Sequence, residues 1–148
     1  MVSKGYHTPK VRIFSWRLNL DRLPTLQNLI KKRVDLPNSL CVWCNRHPET
    51  RDHLSMACQK YVEVRSAVNK WWKVMDVKGS NFLDLAGEMS LGKKPKNLER
   101  VKNAIYQAYC WVLWKGRNNE IFNGVSFNPY LAANEIQSIV FSWVTIRF

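Results

Sequence analysis

Three of the four cysteines lie close together and beside a histidine, in the pattern C-x2-C-x8-H-x4-C formed by Cys41, Cys44, His53 and Cys58. Two cysteines separated by two residues can point both sulfurs at one position about 2.3 Å away, the usual first half of a zinc site. Three sulfurs and one imidazole nitrogen complete a tetrahedron and leave no open position. The pattern therefore predicts one structural Zn²⁺ in a CCHC zinc knuckle.

Two further residues are candidate ligands by type. His47 lies in the same loop and would give C-x2-C-x2-H, but that spacing is cramped, so we expect its ring to face solvent. Cys110 is far from the cluster in the sequence, within a predicted helix. Free cysteines often behave as small apolar side chains, and we expect Cys110 to pack in the core.

The composition indicates a folded, strongly basic protein. The chain has 148 residues, 46% hydrophobic and 12% aromatic, which suits one folded domain. Its 23 basic and 11 acidic residues give a net charge of +12, which favours polyanionic partners such as nucleic acid or an anionic membrane surface. No apolar run reaches the roughly 18 residues that span a bilayer, and residues 1–10 contain no signal-peptide core. We expect an intracellular protein, nuclear or cytoplasmic, that has no membrane partner.

The spacing of apolar residues predicts a mainly α fold with two parts. A small helical domain built around the zinc knuckle, residues 1–75, is followed by a linker with a basic stretch, residues 76–97. Two longer packed helices, residues 98–148, form a hairpin that packs on the first part as one unit. The predicted helices span residues 11–20, 25–33 with a Thr25 cap, 52–75 with an Asp52 cap, 98–124, and from the Asn128 cap and Pro129 to the C-terminus. We expect Leu26, Leu29 and Ile30 on the inner side of the second helix and Leu131 on the apolar face of the last. A slightly irregular first turn of the third helix would aim both His53 and Cys58 at the metal.

A resemblance to a known family follows from these residues. The run of residues 12–25, RIFSWRLNLDRLPT, continues with Asn28-Leu29, Lys32-Arg33, the cysteine pair, Glu49-Thr50 and His53-Leu54. This segment resembles the zinc-binding domain of plant non-LTR retrotransposon reverse transcriptases. Residues 112–118, VLWKGRN, with residues 121–122 and 141–144, are similar to the C-terminal tail of the same polyproteins. The family has the same four zinc ligands, whereas Val42 and Ser55 depart from its usual Pro and Phe.

The resemblance implies a domain that follows the polymerase and helps to hold RNA or DNA. No paired-aspartate polymerase signature and no deaminase pattern occur in the sequence, so we expect no catalysis. Basic residues before the zinc site predict the nucleic-acid surface, with Trp43 as a base-stacking candidate or an anchor of its loop. The predicted contacts are Lys10, Arg12, Arg17, Arg22, Lys31, Lys32, Arg33 and Trp43. The alternative is a retained retroelement fragment that binds a protein partner through its Trp-rich helices.

Overall fold

The computed structural model describes residues 8–70 and 96–145 of the chain. In these ranges the fold is helical, and the extended pairing within them is a single bridge between Leu40 and Pro48. The α-helices are α1 (Pro9–Asn19), α2 (Leu26–Lys31), α3 (Gln59–Asn69), α4 (Lys96–Asn123) and α5 (Pro129–Thr145), and a turn of π-helix spans His53–Ala57. Most of the predicted linker, residues 76–95, and the predicted extension of the third helix to Met75 lie outside the described residues.

Helices α1 and α2 form a tight pair whose boundaries follow from capping. The hydroxyl of Thr25 accepts a hydrogen bond from the Asn28 amide, as the sequence predicts. Each helix ends in a residue with left-handed backbone, Asp21 at φ 53° and Arg33 at φ 62°, the C-terminal arrangement that usually carries glycine. The side-chain amide of Asn28 donates to the carbonyls of Asp21 and Leu23. Asn28 therefore fixes the turn between the two helices.

Helix α2 departs from the prediction in two respects. It ends at Lys31 rather than near Arg33, because Arg33 takes the left-handed backbone that stops it. Leu26, Leu29 and Ile30 are predicted to face inward, but no residue of α2 is buried, and Ile30 is 37% exposed. The helix packs along the edge of the molecule, where Leu26 and Leu29 line an open groove.

The predicted end of the first C-terminal helix and the predicted start of the second are confirmed, whereas the predicted end of the second lies outside the described residues. Helix α4 ends beside Gly124, whose φ of +66° is left-handed, and the side chain of Asn128 accepts hydrogen bonds from the amides of Tyr130 and Leu131 at the start of α5. Leu131, predicted on the apolar face of this helix, is instead 66% exposed. Neither these helices nor the others in the described ranges are long and apolar enough to cross a membrane.

A single hydrophobic cluster joins the two parts of the chain. It takes Phe14 and Leu18 from α1 and Leu23 from the turn before α2, and it continues through buried residues of α3, α4 and α5. The buried members in these later helices include Tyr61, Val64, Val68, Ile105, Tyr109, Leu113, Ile136 and Val140. Helix α3 packs on α5, and α1 packs on α4. The predicted domain boundaries themselves stay predictions.

Candidate metal centre

The first two candidate ligands lie in a loop that is closed by main-chain hydrogen bonds. The Cys41 amide donates to the His47 carbonyl over 2.8 Å, and the Asn45 amide donates to the Cys41 carbonyl over 2.8 Å. Asn45 has φ 54°, a left-handed backbone that asparagine adopts more readily than most residues. This tight turn brings the Cys44 side chain back beside Cys41, as the C-x2-C spacing predicts.

The second two candidate ligands lie at the two ends of the π turn. The Cys58 amide donates to the His53 carbonyl over 2.9 Å, a bond that spans five residues. In a regular α-helix, side chains five residues apart point about 140° away from each other, whereas the wider π turn brings them toward one side. The irregular turn predicted between these residues is therefore present as a π-helical turn.

The predicted helix from Asp52 needs two corrections. Asp52 makes no capping hydrogen bond; instead the Thr50 hydroxyl accepts from the His53 amide over 3.0 Å. The helix is also not continuous, because Cys58 has extended backbone, with ψ 146°, and α3 starts after it. This break separates the metal-site turn from the helix that enters the core.

The four side chains converge on one point. Their ligand atoms all lie within 4.8 Å of one another. The sulfurs of Cys41 and Cys58 are 3.9 Å apart, and Cys44 Sγ is 3.3 Å from His53 Nε2. A tetrahedral zinc site with bonds of about 2.3 Å to sulfur and about 2.0 Å to nitrogen separates two sulfurs by about 3.8 Å and a sulfur from a nitrogen by about 3.5 Å. The observed spacings therefore fit one zinc ion.

His47 lies beside the cluster but outside it. Its Nδ1 is 4.0 Å from Cys44 Sγ, and its ring centre is 5.4 Å from that of His53. The His47 side chain is exposed, whereas His53 is 9% exposed. The geometry thus selects His53 as the nitrogen ligand. Cys110 is also free of the cluster; it lies in the core on α4, and burial raises the pKa of its thiol to about 12.

Burial and neighbouring groups shift the pKa values of His53 and Cys58 toward their metal-binding forms and that of Cys41 away from its own. Burial lowers the pKa of His53, and the neighbouring His47 lowers it further, so the ring is held neutral and its nitrogen can coordinate. Contact with Cys58 and burial raise the pKa of the Cys41 thiol, while the same contact lowers the pKa of Cys58. Thiolates this close repel each other, and a cation placed among them removes that repulsion.

The surroundings support a structural role for the ion. The Trp43 amide is 3.4 Å from Cys41 Sγ and donates to it, an outer contact that orients a thiolate ligand. Cys41 and Cys58 are 0% and 1% exposed, so substrate cannot reach that side of the site. With four protein ligands the coordination shell is complete.

Comparison with known families supports the same conclusion. Residues 1–72 match the family model described as zinc-binding in reverse transcriptase. Residues 1–72 are a zinc-binding domain related to reverse transcriptase. The cluster of four cysteine and histidine ligands in this domain is consistent with one structural zinc ion. No match was found among curated proteins or among solved structures. The plant, non-LTR origin implied by the resemblance stays a prediction, and the similar segments after residue 110 lie outside the matched range.

The predicted nucleic-acid residues occupy several places in this zinc-binding domain. Lys10, Arg12 and Arg17 lie on α1, Arg22 lies in the following turn, and the remaining three, Lys31, Lys32 and Arg33, lie at the end of α2. All seven side chains are exposed. Lys10 and Arg17 line the same open groove.

Trp43 differs from the other predicted contacts. Its ring is stacked on Phe127, with centroids 4.6 Å apart and an interplanar angle of 30°, and it packs against the hydrophobic cluster. Of the two roles predicted for Trp43, this arrangement favours the anchor, which ties the zinc loop to the segment between α4 and α5. Gly116 of α4 makes room for this contact, because a Cβ there would overlap the Phe127 ring.

A buried ion pair joins the zinc-binding domain to α4, and sequence reasoning did not find it. Arg117 Nε donates to Glu49 Oε2 over 2.8 Å, and Arg117 Nη2 donates to Glu49 Oε1 over 2.6 Å. The Leu26 amide also donates to Glu49 Oε1, and the guanidinium lies over the Trp114 ring at 4.5 Å. Glu49 and Arg117 are 0% and 2% exposed. Both residues belong to segments that carry the family resemblance, but their pairing across 68 positions leaves no local pattern.

Proposed function

We propose that this retroelement-derived chain binds RNA or DNA through the exposed basic residues of its zinc-binding domain and has no catalysis of its own. The observation that carries the proposal is the set of seven exposed cations on and around α1 and α2. Asp21 is the one acidic residue among residues 8–33. None of the seven cations forms an ion pair with another described residue. Unneutralised cations of this density attract phosphates.

The zinc ion has a supporting role in the proposal. The ion fixes the zinc loop and the π turn. Next to that turn, the Arg51 side chain donates hydrogen bonds to the carbonyls of Leu18 and Asn19 at the end of α1, so the fixed region lies against that helix. The helices that carry the basic residues are therefore held against a rigid support. Because the four ligands complete the coordination shell, the ion offers no position for a substrate or an activated water.

The test is binding to fluorescein-labelled single-stranded RNA and duplex DNA over a series of salt concentrations. Each phosphate contact contributes about 0.7 to 0.9 to the slope of log affinity against log salt. We expect binding that weakens steeply with salt. The double variant Lys31→Gln/Lys32→Gln should lower that slope by about 1 to 2, whereas Lys60→Gln/Glu63→Gln on α3, which leaves the net charge unchanged, should not. Binding that is absent, or independent of salt, would contradict the proposal.

A second function is supported by the groove between α1, α2, α4 and the start of α5. The groove has a volume of about 1180 Å³, and Ile13, Phe122 and Leu131 on its walls are 59%, 74% and 66% exposed. Such an exposed apolar surface is typical of protein-binding sites. Trp111 and Trp114 of α4 also line the groove, although Trp114 is buried and Trp111 packs against the core. Association through this groove would survive added salt, which distinguishes it from phosphate binding.

A further inference from the structure

Trp16 is the exposed tryptophan of the described residues. Its side chain on α1 is 62% exposed. The other four described tryptophans, Trp43, Trp111, Trp114 and Trp143, all belong to or pack against the hydrophobic cluster. A large aromatic ring in water leaves apolar surface that other contacts can cover.

The surroundings of Trp16 combine apolar and basic side chains. Ile13 precedes it by three residues and Leu20 follows it by four, and they are 59% and 50% exposed. Residues three and four apart lie on the same face of a helix, so the three side chains form one stripe. Arg12, one helical turn before Trp16, and Arg17, directly after it, are exposed on either side. Helix α1 contains no acidic residue.

We propose that Trp16 stacks on an unpaired base of single-stranded nucleic acid while Arg12 and Arg17 contact the flanking phosphates. The inference rests on the proposed function and names the form of nucleic acid that it takes. In a duplex each base face is covered by its neighbours, whereas a single strand presents its bases to an aromatic ring. Trp16 therefore adds affinity for single strands that phosphate contacts alone do not give.

Charge favours nucleic acid over a protein as the occupant of this face. The stripe is bordered by cations, and no described acidic residue neutralises Arg12 or Arg17. An apolar protein surface placed here would have to desolvate those cations without compensation, whereas a nucleic-acid strand supplies a base for the ring and phosphates for the arginines. The stacking candidate chosen from the sequence, Trp43, is already occupied by Phe127.

The test compares Trp16→Ala and Trp16→Phe with the full-length wild type. The probes are a fluorescein-labelled 12-nucleotide oligouridylate and an RNA duplex of the same length, and affinity is measured by fluorescence anisotropy at one salt concentration. Tyr130→Ala is the matched control, because Tyr130 is an aromatic residue of similar exposure, 69%, on α5. Zinc content and circular dichroism check that each variant is folded.

Stacking on one base contributes about 1–3 kcal/mol, so Trp16→Ala should weaken oligouridylate binding by about 5- to 150-fold. Trp16→Phe should stay within a few fold of wild type, and duplex binding of both variants should be unchanged, since no charge is lost. Equal loss on both probes, or no loss while the wild type binds, would overturn the stacking role. A variant that bound RNA normally but changed the oligomeric state would make this face a protein interface. If the wild type bound neither probe, the proposed function itself would fail.

Discussion

At the scale of single residues, the pair Glu49 and Arg117 holds the zinc loop against α4. Both groups are almost fully buried, and their bidentate hydrogen bonds are supplemented by the Leu26 amide and the Pro24 carbonyl. Two buried charges are stable only together, because each alone would lie in an apolar region without compensation. The pair therefore fixes the orientation of the zinc-binding domain relative to the C-terminal helices.

Removing one member of this pair should be costly. We predict that Arg117→Met lowers the free energy of unfolding by about 3–5 kcal/mol, since it leaves the Glu49 carboxylate buried and unpaired. Urea denaturation followed by circular dichroism measures the change. The control is Lys115→Met, which breaks the exposed pair with Glu135 and should cost under about 1 kcal/mol. Equal effects of the two substitutions would show that the buried pair has no special role.

Gly116 gives a second prediction at this scale. Gly→Ala within an exposed helix usually stabilises by about 1 kcal/mol, but a methyl group at this position would overlap the Phe127 ring. Gly116→Ala should therefore destabilise the protein, by about 1–3 kcal/mol. In Phe127→Ala the obstruction is absent, so adding Gly116→Ala to that variant should cost nothing further. A stabilising Gly116→Ala in the wild-type background would contradict the observed contact.

At the scale of elements, sequence patterns predicted most helices, and local chemistry explains why. Thr25 and Asn128 are strong N-caps, and Gly124 marks a helix end, so these boundaries can be read from single residues. The π turn could be predicted only as an irregular turn. It has no sequence pattern of its own and follows from two ligands five residues apart that must face one ion. The exposed positions of Ile30 and Leu131 could not be predicted, since apolar spacing marks a stripe but not what lies against it.

The C-terminus of α2 carries the prediction at this scale. Arg33 adopts a left-handed backbone at φ 62°, which costs a residue with a Cβ about 1–2 kcal/mol, whereas glycine adopts it freely. Arg33→Gly should therefore raise the free energy of unfolding by about 0.5–1 kcal/mol. Lys32→Gly, one position earlier at φ −87°, is the matched control and should stabilise nothing. Thermal and urea denaturation of both variants distinguish these outcomes, and a destabilised Arg33→Gly would exclude strain at this position.

At the scale of the whole molecule, the zinc site and the C-terminal helices share one hydrophobic core. The cluster contains Leu54 from the π turn together with buried residues of α3, α4 and α5. Trp43 ties the zinc loop to the segment between α4 and α5, and Glu49 ties it to α4. Most of these contacts join distant parts of the sequence, so the four ligands were predicted from their spacing while their attachment to α4 was not.

This arrangement predicts that zinc removal disrupts α4 as well as the zinc-binding domain. The free energy of zinc binding at a structural site contributes to the free energy of folding. Because the zinc site and α4 share one core, loss of the ion should destabilise both. Hydrogen exchange of full-length protein, measured by mass spectrometry with and without a chelator, should show faster exchange at the buried positions around Ile105 and Leu113. Protection of α4 that is unchanged after chelation, while the loop around Cys41 exchanges rapidly, would show two independent units instead.

The central claim is that Cys41, Cys44, His53 and Cys58 hold one structural zinc ion, and the metal content of the purified protein tests it most directly. Elemental analysis should find one zinc per chain in the wild type and in Cys110→Ala, and far less in Cys44→Ser and His53→Ala. Zinc that is absent from wild-type protein prepared with zinc present, or lost from Cys110→Ala while Cys44→Ser retains it, would contradict the account.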